Sequence, residues 1–434
     1  MSSPVPMHDN SEQAERDAAL AQALLATGLV FDPYGPGALR FDDRPRVISD
    51  ARYAELCNVA ELVTLAYDAA VKLCAAQPKL LTEFLGLTPY QKLMWQAAAP
   101  HWHGFARADV FETTEGLMIT ELNCDTPTGH PEAVVLGARA AATNPGLADP
   151  NSELAARMVG LATAMATARL GEQHERTVGL VYPTDQTEDL ALVRLYERWF
   201  SAAGYRTVQG SPYNLTTGAD AHACLMGVPC GIIMRHYKTD WWSERTPTWK
   251  GDAPFDDPYP LAAQLEVLAR AELERRTVTI NPMGAVVAQN KRIMALLWEH
   301  IDAFSAEVQA IVRAHIPETL RLESMFRAQL SAEREQWVLK SDYGAESDEV
   351  LVGAERTQAE WDQALALCEE GRFVVQRRFQ EISHDDDVGL SRNYGVFVVA
   401  GCAAGTYLRT SRGSTNRAAL SVPILVRPAQ GVDT

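Results

Sequence analysis

Apolar and polar positions alternate on both sides of Thr114-Glu115-Gly116 in the stretch from Arg107 to Asn123. Alternation with period two predicts two strands. A three-residue loop ending in Gly supplies the positive φ that a tight hairpin needs. Pairing Thr113 with Leu117 sets Asp109 opposite Glu121 and Arg107 opposite Asn123, all four on one face with Phe111 and Ile119. Elsewhere the spacing turns helical. Residues 18–27 (stopped by Gly28), 60–73, a segment opening at Pro89, 131–143, 152–170, 260–275, 283–299 and 357–368 read as helices, and 1–16 as a loose polar tail.

Short apolar runs mark further strands at 178–182, 205–208, 231–235, 278–282, 337–340, 373–379, 394–400 and 404–409. The first two flank a helix from Glu188 to about residue 203 and so predict a βαβ unit. Its loop, 183–189, lies at a strand's carboxyl end, where open α/β sheets bind ligands. Thr187 is the expected N-cap, and Glu188 divides evenly between capping and a substrate role. The fold class is therefore mixed α+β and α/β, in four segments. Residues 1–49 form a tail and helix, and 50–175 a helical lead-in plus the hairpin. Residues 176–282 hold the βαβ unit, and 283–434 a second strand-rich part.

At 434 residues the chain exceeds one ordinary core. A net charge of -17 argues against nucleic acid or an anionic membrane as the main partner. No stretch reaches the ~18 apolar residues of a membrane span, and no signal peptide pattern opens the chain. Seven scattered cysteines read as cytoplasmic thiols. His101 and His103 alternate as paired ligands would, but without a third ligand nearby they read as packing or polar-surface residues.

Carboxylates opposed on one strand pair repel unless a cation lies between them. Arg107, a metal, or both would serve. Two carboxylates and an amide oxygen are hard ligands suited to Mg²⁺, although spacing alone favours a plain solvent-facing hairpin with an Arg/Asp pair. The continuation adds to the picture. Arg-x-Asp at 107–109, followed by Glu-x-Asn-x-Asp-x-Pro-x-Gly at 121–129, resembles the magnesium-binding segment of the glutathionylspermidine synthase family, a circularly permuted branch of the ATP-grasp ligases. Four further blocks follow in the family's order: Lys238-Thr239 with its aromatics, Asn290-Lys291 leading to Trp298-Glu299, the strand ending in Lys340, and 373–411 with Gln376 and Gly405-x-x-x-Arg409.

The resemblance implies an ATP-grasp fold, circularly permuted, with a preATP-grasp-like βαβ substrate domain. It also implies an ATP- and Mg²⁺-dependent, ADP-forming ligase that joins a small-molecule or peptide carboxylate to an amine through an acylphosphate. Carried over, Asp109, Glu121 and Asn123 hold Mg²⁺, and Arg107 is catalytic. Arg107, Asp109, Lys291, Lys340, Gly344, Gln376 and Arg409 face ATP, with Ser414-Thr415-Asn416 contacting nucleotide. Thr126, Thr128, Glu188 and Thr239 face the substrates. Arg392, Arg409, Arg412, Arg417 and Arg427 concentrate cations in the last part of an acidic chain.

Two departures from the family pattern bear on function. Its phosphate loop runs Lys-Pro-x-x-Gly-Arg-Glu-Gly, and this chain has Ser341, Ala345 and Ser347 in place of Pro, Arg and the last Gly. A non-catalytic nucleotide- or peptide-binding partner protein is the alternative that this motivates. A Mg²⁺-dependent phosphohydrolase on the same carboxylates is a remoter one. Gly129 stands where the family carries a glutathione-facing Cys, which puts glutathione itself in doubt.

Overall fold

The hairpin forms, with its register set in an unexpected way. In the computed structural model, which describes residues 10–35, 38–186, 189–242, 245–344, 349–385, 389–413 and 419–429, strand β1 (Phe105–Thr113) pairs with β2 (Gly116–Asn123). Thr113 pairs with Gly116, not Leu117, so the turn is one residue tighter than the sequence predicts. A bulge at Thr120 restores the count, and Asp109 still faces Glu121 and Arg107 still faces Asn123. Between turn and bulge the faces are shifted. Ile119 pairs with Val110 and joins the core with Ala106 and Ala108, away from the carboxylate face.

The chain then builds three sheets around this hairpin. Strands β3 (Thr177–Val181), β4 (Arg206–Gly210), β5 (Ile232–Arg235) and β6 (Val278–Ile280) form the expected parallel sheet, in the order β6-β5-β3-β4. Helix Leu190–Ala202 makes the first crossover. Three short strands between residues 215 and 229 form a small meander that the apolar pattern misses. Next, β7 (Thr319–Arg321), β8 (Trp337–Ser341), β9 (Val350–Val352) and β10 (Phe373–Arg377) make an antiparallel sheet, β7-β10-β8-β9. Leu339 and Val375 face its helix Gln358–Leu367 through Trp361, which leaves the alternate residues Lys340 and Gln376 on the other side. Finally β11 (Ser391–Val399), β12 (Cys402–Ser411) and β13 (Leu420–Val422) return to the hairpin and complete a five-stranded sheet, β13-β12-β11-β1-β2. Residues 300 positions apart thus share one surface.

Beneath that sheet runs helix Asp50–Ala76, capped by Ser49 and burying Val59, Val63, Tyr67 and Ala70 against Ala108, Val110 and Val396. The helix at Pro89 carries a capping box from Thr88 to Gln91. The N-terminal helix begins at Asn10, earlier than expected from the polar tail, with residues 1–9 outside the described set. The segment 283–299 is not one helix. It divides into Ala285–Ala288 and Arg292–Glu299 where the Lys291 N–H leaves for Asp342 O at 2.8 Å and the Arg292 N–H is taken by Asn290 Oδ1 at 2.9 Å. At the break Gln289 Oε1 accepts the N–H groups of Cys124 and Asp125 at 2.9 and 3.0 Å. No helix among the described residues is long and apolar enough to cross a membrane.

Candidate active site

The five-stranded and antiparallel sheets face each other across a cavity of about 1070 Å³, closed on a third side by the carboxyl ends of β3 and β5. That exceeds most small-molecule sites and leaves room for two substrates. The polar face of β1 and β2 forms one wall.

On that wall Arg107 and Asp109 are both buried, at 6% and 7% exposure. The guanidinium grips the carboxylate with two bonds, Nε to Oδ1 at 2.8 Å and Nη2 to Oδ2 at 3.2 Å. Arg409 on β12 donates to the same Oδ2 at 2.8 Å, and Asn393 on β11 lies 3.4 Å away. Burial by itself would push the Asp109 carboxyl up, but Arg107 and Arg409 outweigh it and hold the group below the ordinary Asp range. Asn123 links the two rungs. Its amide oxygen accepts from Arg107 Nη2 at 3.1 Å and its nitrogen donates to Glu121 Oε1 at 2.9 Å.

The opposite wall supplies the lysines. Lys291 Nζ lies 3.5 Å from Glu121 and donates to Gly344 O at 2.6 Å. Lys340 Nζ donates to Gln376 Oε1 at 2.7 Å and to Thr120 O at 3.2 Å, the carbonyl of the bulge. Desolvation pushes Lys340 down to about 8, with Lys291 adding to the fall and Glu121 and Asp109 opposing it. Four cationic side chains thus surround two carboxylates in a chain whose net charge is -17. A local excess of positive charge in an acidic protein suits a polyanion.

The predicted residues separate by position. Arg107, Asp109, Glu121, Asn123, Thr126, Thr128, Lys340, Gly344, Gln376 and Arg409 line the cavity, and Lys291 reaches its edge through Gly344 and Glu121. Thr128 accepts from Arg107 Nη1 through both its carbonyl, at 3.0 Å, and its hydroxyl. Gly344 contributes its carbonyl to Lys291. Thr239 does not reach the cavity. It is fully buried, and both its N–H and its hydroxyl are used by Asp125, at 2.7 and 3.1 Å. Thr187, Glu188, residues 345–348 and Ser414-Thr415-Asn416 lie outside the described residues, as does Arg417. Of the other C-terminal arginines, Arg392, Arg412 and Arg427 are not cavity residues. Arg356, Arg377 and Arg378 line it instead.

Three features escape a sequence reading. Asp125, 1% exposed, forms a buried ion pair with Arg235, whose side chain is fully buried, and this pins the loop after β2 to the end of β5. Asn281 then holds the loop from behind, donating to Asp125 O and accepting from the N–H groups of Gly104 and Phe105. Gly129, at φ +97°, sits under Tyr407, and a Cβ there would come within 2.5 Å of the ring. The side-chain site of residue 129 is filled from the neighbouring strand.

The donors on the first wall fit a hard divalent cation. Asp109, Glu121 and Asn123 offer oxygen only, and Asn393 Oδ1 beside Asp109 is buried with no partner among the described residues. No group of three or more His, Cys, Asp or Glu gathers among the described residues. A cation at this place would therefore draw on amide and ligand oxygens as well as the two carboxylates.

Residues 58–427 match the family model described as glutathionylspermidine synthase preATP-grasp. The chain belongs to this family. No curated protein matches it. Among solved structures, a glutathione synthetase-like effector from Globodera pallida aligns over 98% of this chain and 99% of its own at TM-score 0.58, with 10% identity. A protein provisionally assigned as a gamma-glutamylcysteine synthetase from Methylobacillus flagellatus KT aligns over 81% and 83% at TM-score 0.43, with 13% identity. The first likeness is one of fold and spans almost the whole chain.

Proposed function

We propose that the protein is an ATP- and Mg²⁺-dependent ligase that forms an amide from a carboxylate and an amine, releasing ADP and phosphate. The observation that carries this reading is the convergence of Arg107, Arg409, Lys291 and Lys340 on the opposed carboxylates Asp109 and Glu121 inside one cavity. In this reading the fold is a circularly permuted ATP-grasp, supported by chain order, since the carboxylates precede the lysines. The domain division given above and the cytoplasmic setting belong to the same proposal, the latter supported by seven free thiols.

The nucleotide triphosphate lies between the two lysines and the polar face of β1 and β2, with Gln376 toward the base. Mg²⁺, held by Asp109, Glu121 and Asn123, neutralises phosphate charge when bound. Arg107, fixed by Asp109 and Thr128, stabilises the charge on the transferring phosphoryl group and on the tetrahedral oxyanion that follows. Thr126 and Thr128 face the carboxylate substrate. The described residues give Thr239 no route to either substrate, so its role in this reading is to hold Asp125.

The test is ADP release with Mg-ATP across a matrix of carboxylates (glutathione, glutamate, other amino acids) and amines (spermidine, putrescine, amino acids). Release that needs one specific pair, and is lost in Asp109→Asn and Arg107→Ala, supports the ligase. A second reading, a nucleotide- or peptide-binding protein without turnover, is favoured by the acidic foot of the phosphate loop, where Ser341 bonds Glu349. Tight Mg-ATP binding with no release across the whole matrix would select it. No nucleotide binding at all would sink the ligase and leave only the peptide-binding form of the second reading.

A further inference from the structure

The third side of the cavity carries a pair that none of these roles uses. His236 follows β5, and its N–H continues the parallel ladder to Val181 O at 2.7 Å, which fixes the residue at the cavity edge. Its Nε2 lies 3.0 Å from Asp189 Oδ1. Asp189 is the N-cap residue of helix Leu190–Ala202, yet its side chain makes no capping bond. It turns to the imidazole instead. Both side chains line the cavity.

An ionised carboxylate only accepts, so Nε2 carries the proton and the lone pair resides on Nδ1. His103 and His130 each have an Nδ1 sealed from solvent without a partner; the His236 Nδ1 is not among the sealed atoms. Asp125 holds Arg235 and Thr239, and Lys238 donates to Tyr343 O at 2.9 Å and to Asp240 at 3.2 Å. The pair shares the cavity lining with Arg107, Thr126 and Thr128, the groups assigned above to the acyl substrate.

We infer that His236, oriented by Asp189, is the catalytic base that takes the proton from the attacking amine. This rests on the ligase reading and adds its second half-reaction. The substrate ammonium first gives a proton to His236 Nδ1, which frees the nitrogen lone pair. That nitrogen attacks the acyl carbon and the C–N bond forms; the C–O bond to phosphate breaks, and phosphate leaves with the electron pair and the second nitrogen proton. Phosphoryl transfer, which moves no amine proton, does not require it.

The inference separates nucleophiles that need deprotonation from those that do not. Wild type, His236→Gln and Asp189→Asn are each given Mg-ATP and, in turn, glutathione, glutamate and the other amino acids as carboxylate. The nucleophile is either spermidine or hydroxylamine, the latter largely unprotonated at neutral pH. Hydroxamate formation should stay within about twofold in both variants. Spermidine conjugation should fall about 10²-fold or more in His236→Gln, the usual range for removing a general base, and less in Asp189→Asn. Equal loss with both nucleophiles would make the pair structural and overturn the inference, as would no loss with either. Wild type that makes neither product overturns the ligase reading, and this inference with it.

Discussion

Arg409 donates to Asp109 at 2.8 Å across 300 residues of chain, sharing the carboxylate with Arg107. One acid thus neutralises two guanidinium groups, and one of them, Arg107, is almost fully buried. Replacing it takes the directly bonded counter-charge from both cations. We expect Asp109→Asn to cost on the order of 3 kcal/mol of stability and to reduce any ADP release by about 10³-fold or more. Chemical denaturation and a coupled ADP assay on the same preparation check the two effects. Unchanged stability would mean that solvent already screens the trio.

Asp125 and Arg235 make the other buried pair, and here removal should be felt through position alone. Asp125→Ala strands a fully buried guanidinium and frees the Thr239 N–H and hydroxyl together. The expected cost is about 3–5 kcal/mol, read from the urea midpoint. Arg235→Met in the same background should recover part of it, because the orphaned charge goes with the side chain.

Gly129 is excluded from bearing a side chain on two counts, its φ of +97° and the Tyr407 ring at 2.5 Å from a built Cβ. Gly129→Ala should destabilise by about 2 kcal/mol or more. Tyr407→Ala relieves only the second count. The two substitutions should therefore be less than additive, with a coupling of about 1 kcal/mol in a double-mutant cycle. Strict additivity would show that the backbone conformation alone forbids the side chain.

His103 provides a pH prediction. Burial pushes its imidazole down to about 4 from 6.5, partly offset by Asp68. The unfolded chain therefore binds the proton more readily between those values, so this contribution to stability is complete above pH 6.5 and is lost as pH falls toward 4. Over the full window that amounts to about 3 kcal/mol. His103→Phe keeps a ring beside Trp102, whose centroid is 4.0 Å away, and removes the titration. Its urea midpoint should fall less than that of wild type between pH 7 and pH 4.5.

The hairpin was legible because alternation depends only on period, and the facing pairs 107/123 and 109/121 came out as read. Two unreadable details offset one another there, a shorter turn and a bulge, and the price was Ile119 on the wrong face. The helix over 283–299 failed for a tertiary reason. Its apolar spacing is sound, but the Lys291 N–H is taken by distant backbone. Thr239 illustrates the same limit. A hydroxyl beside a ligand motif reads alike whether it meets a substrate or, as here, a buried carboxylate. Arg235 and His236 carried no local signal, since their partners Asp125 and Asp189 lie 110 and 47 residues away.

The bulge at Thr120 has a consequence for how the cavity fills. An extra residue in one strand leaves a carbonyl outside the ladder, and that carbonyl receives Lys340 from the facing sheet at 3.2 Å. The ammonium that a phosphate would claim is thus already employed as a clasp between the two walls. An ammonium has three protons and these bonds use two, so in the proposed reading an anionic ligand takes the third and is held by the same group that ties the two walls together.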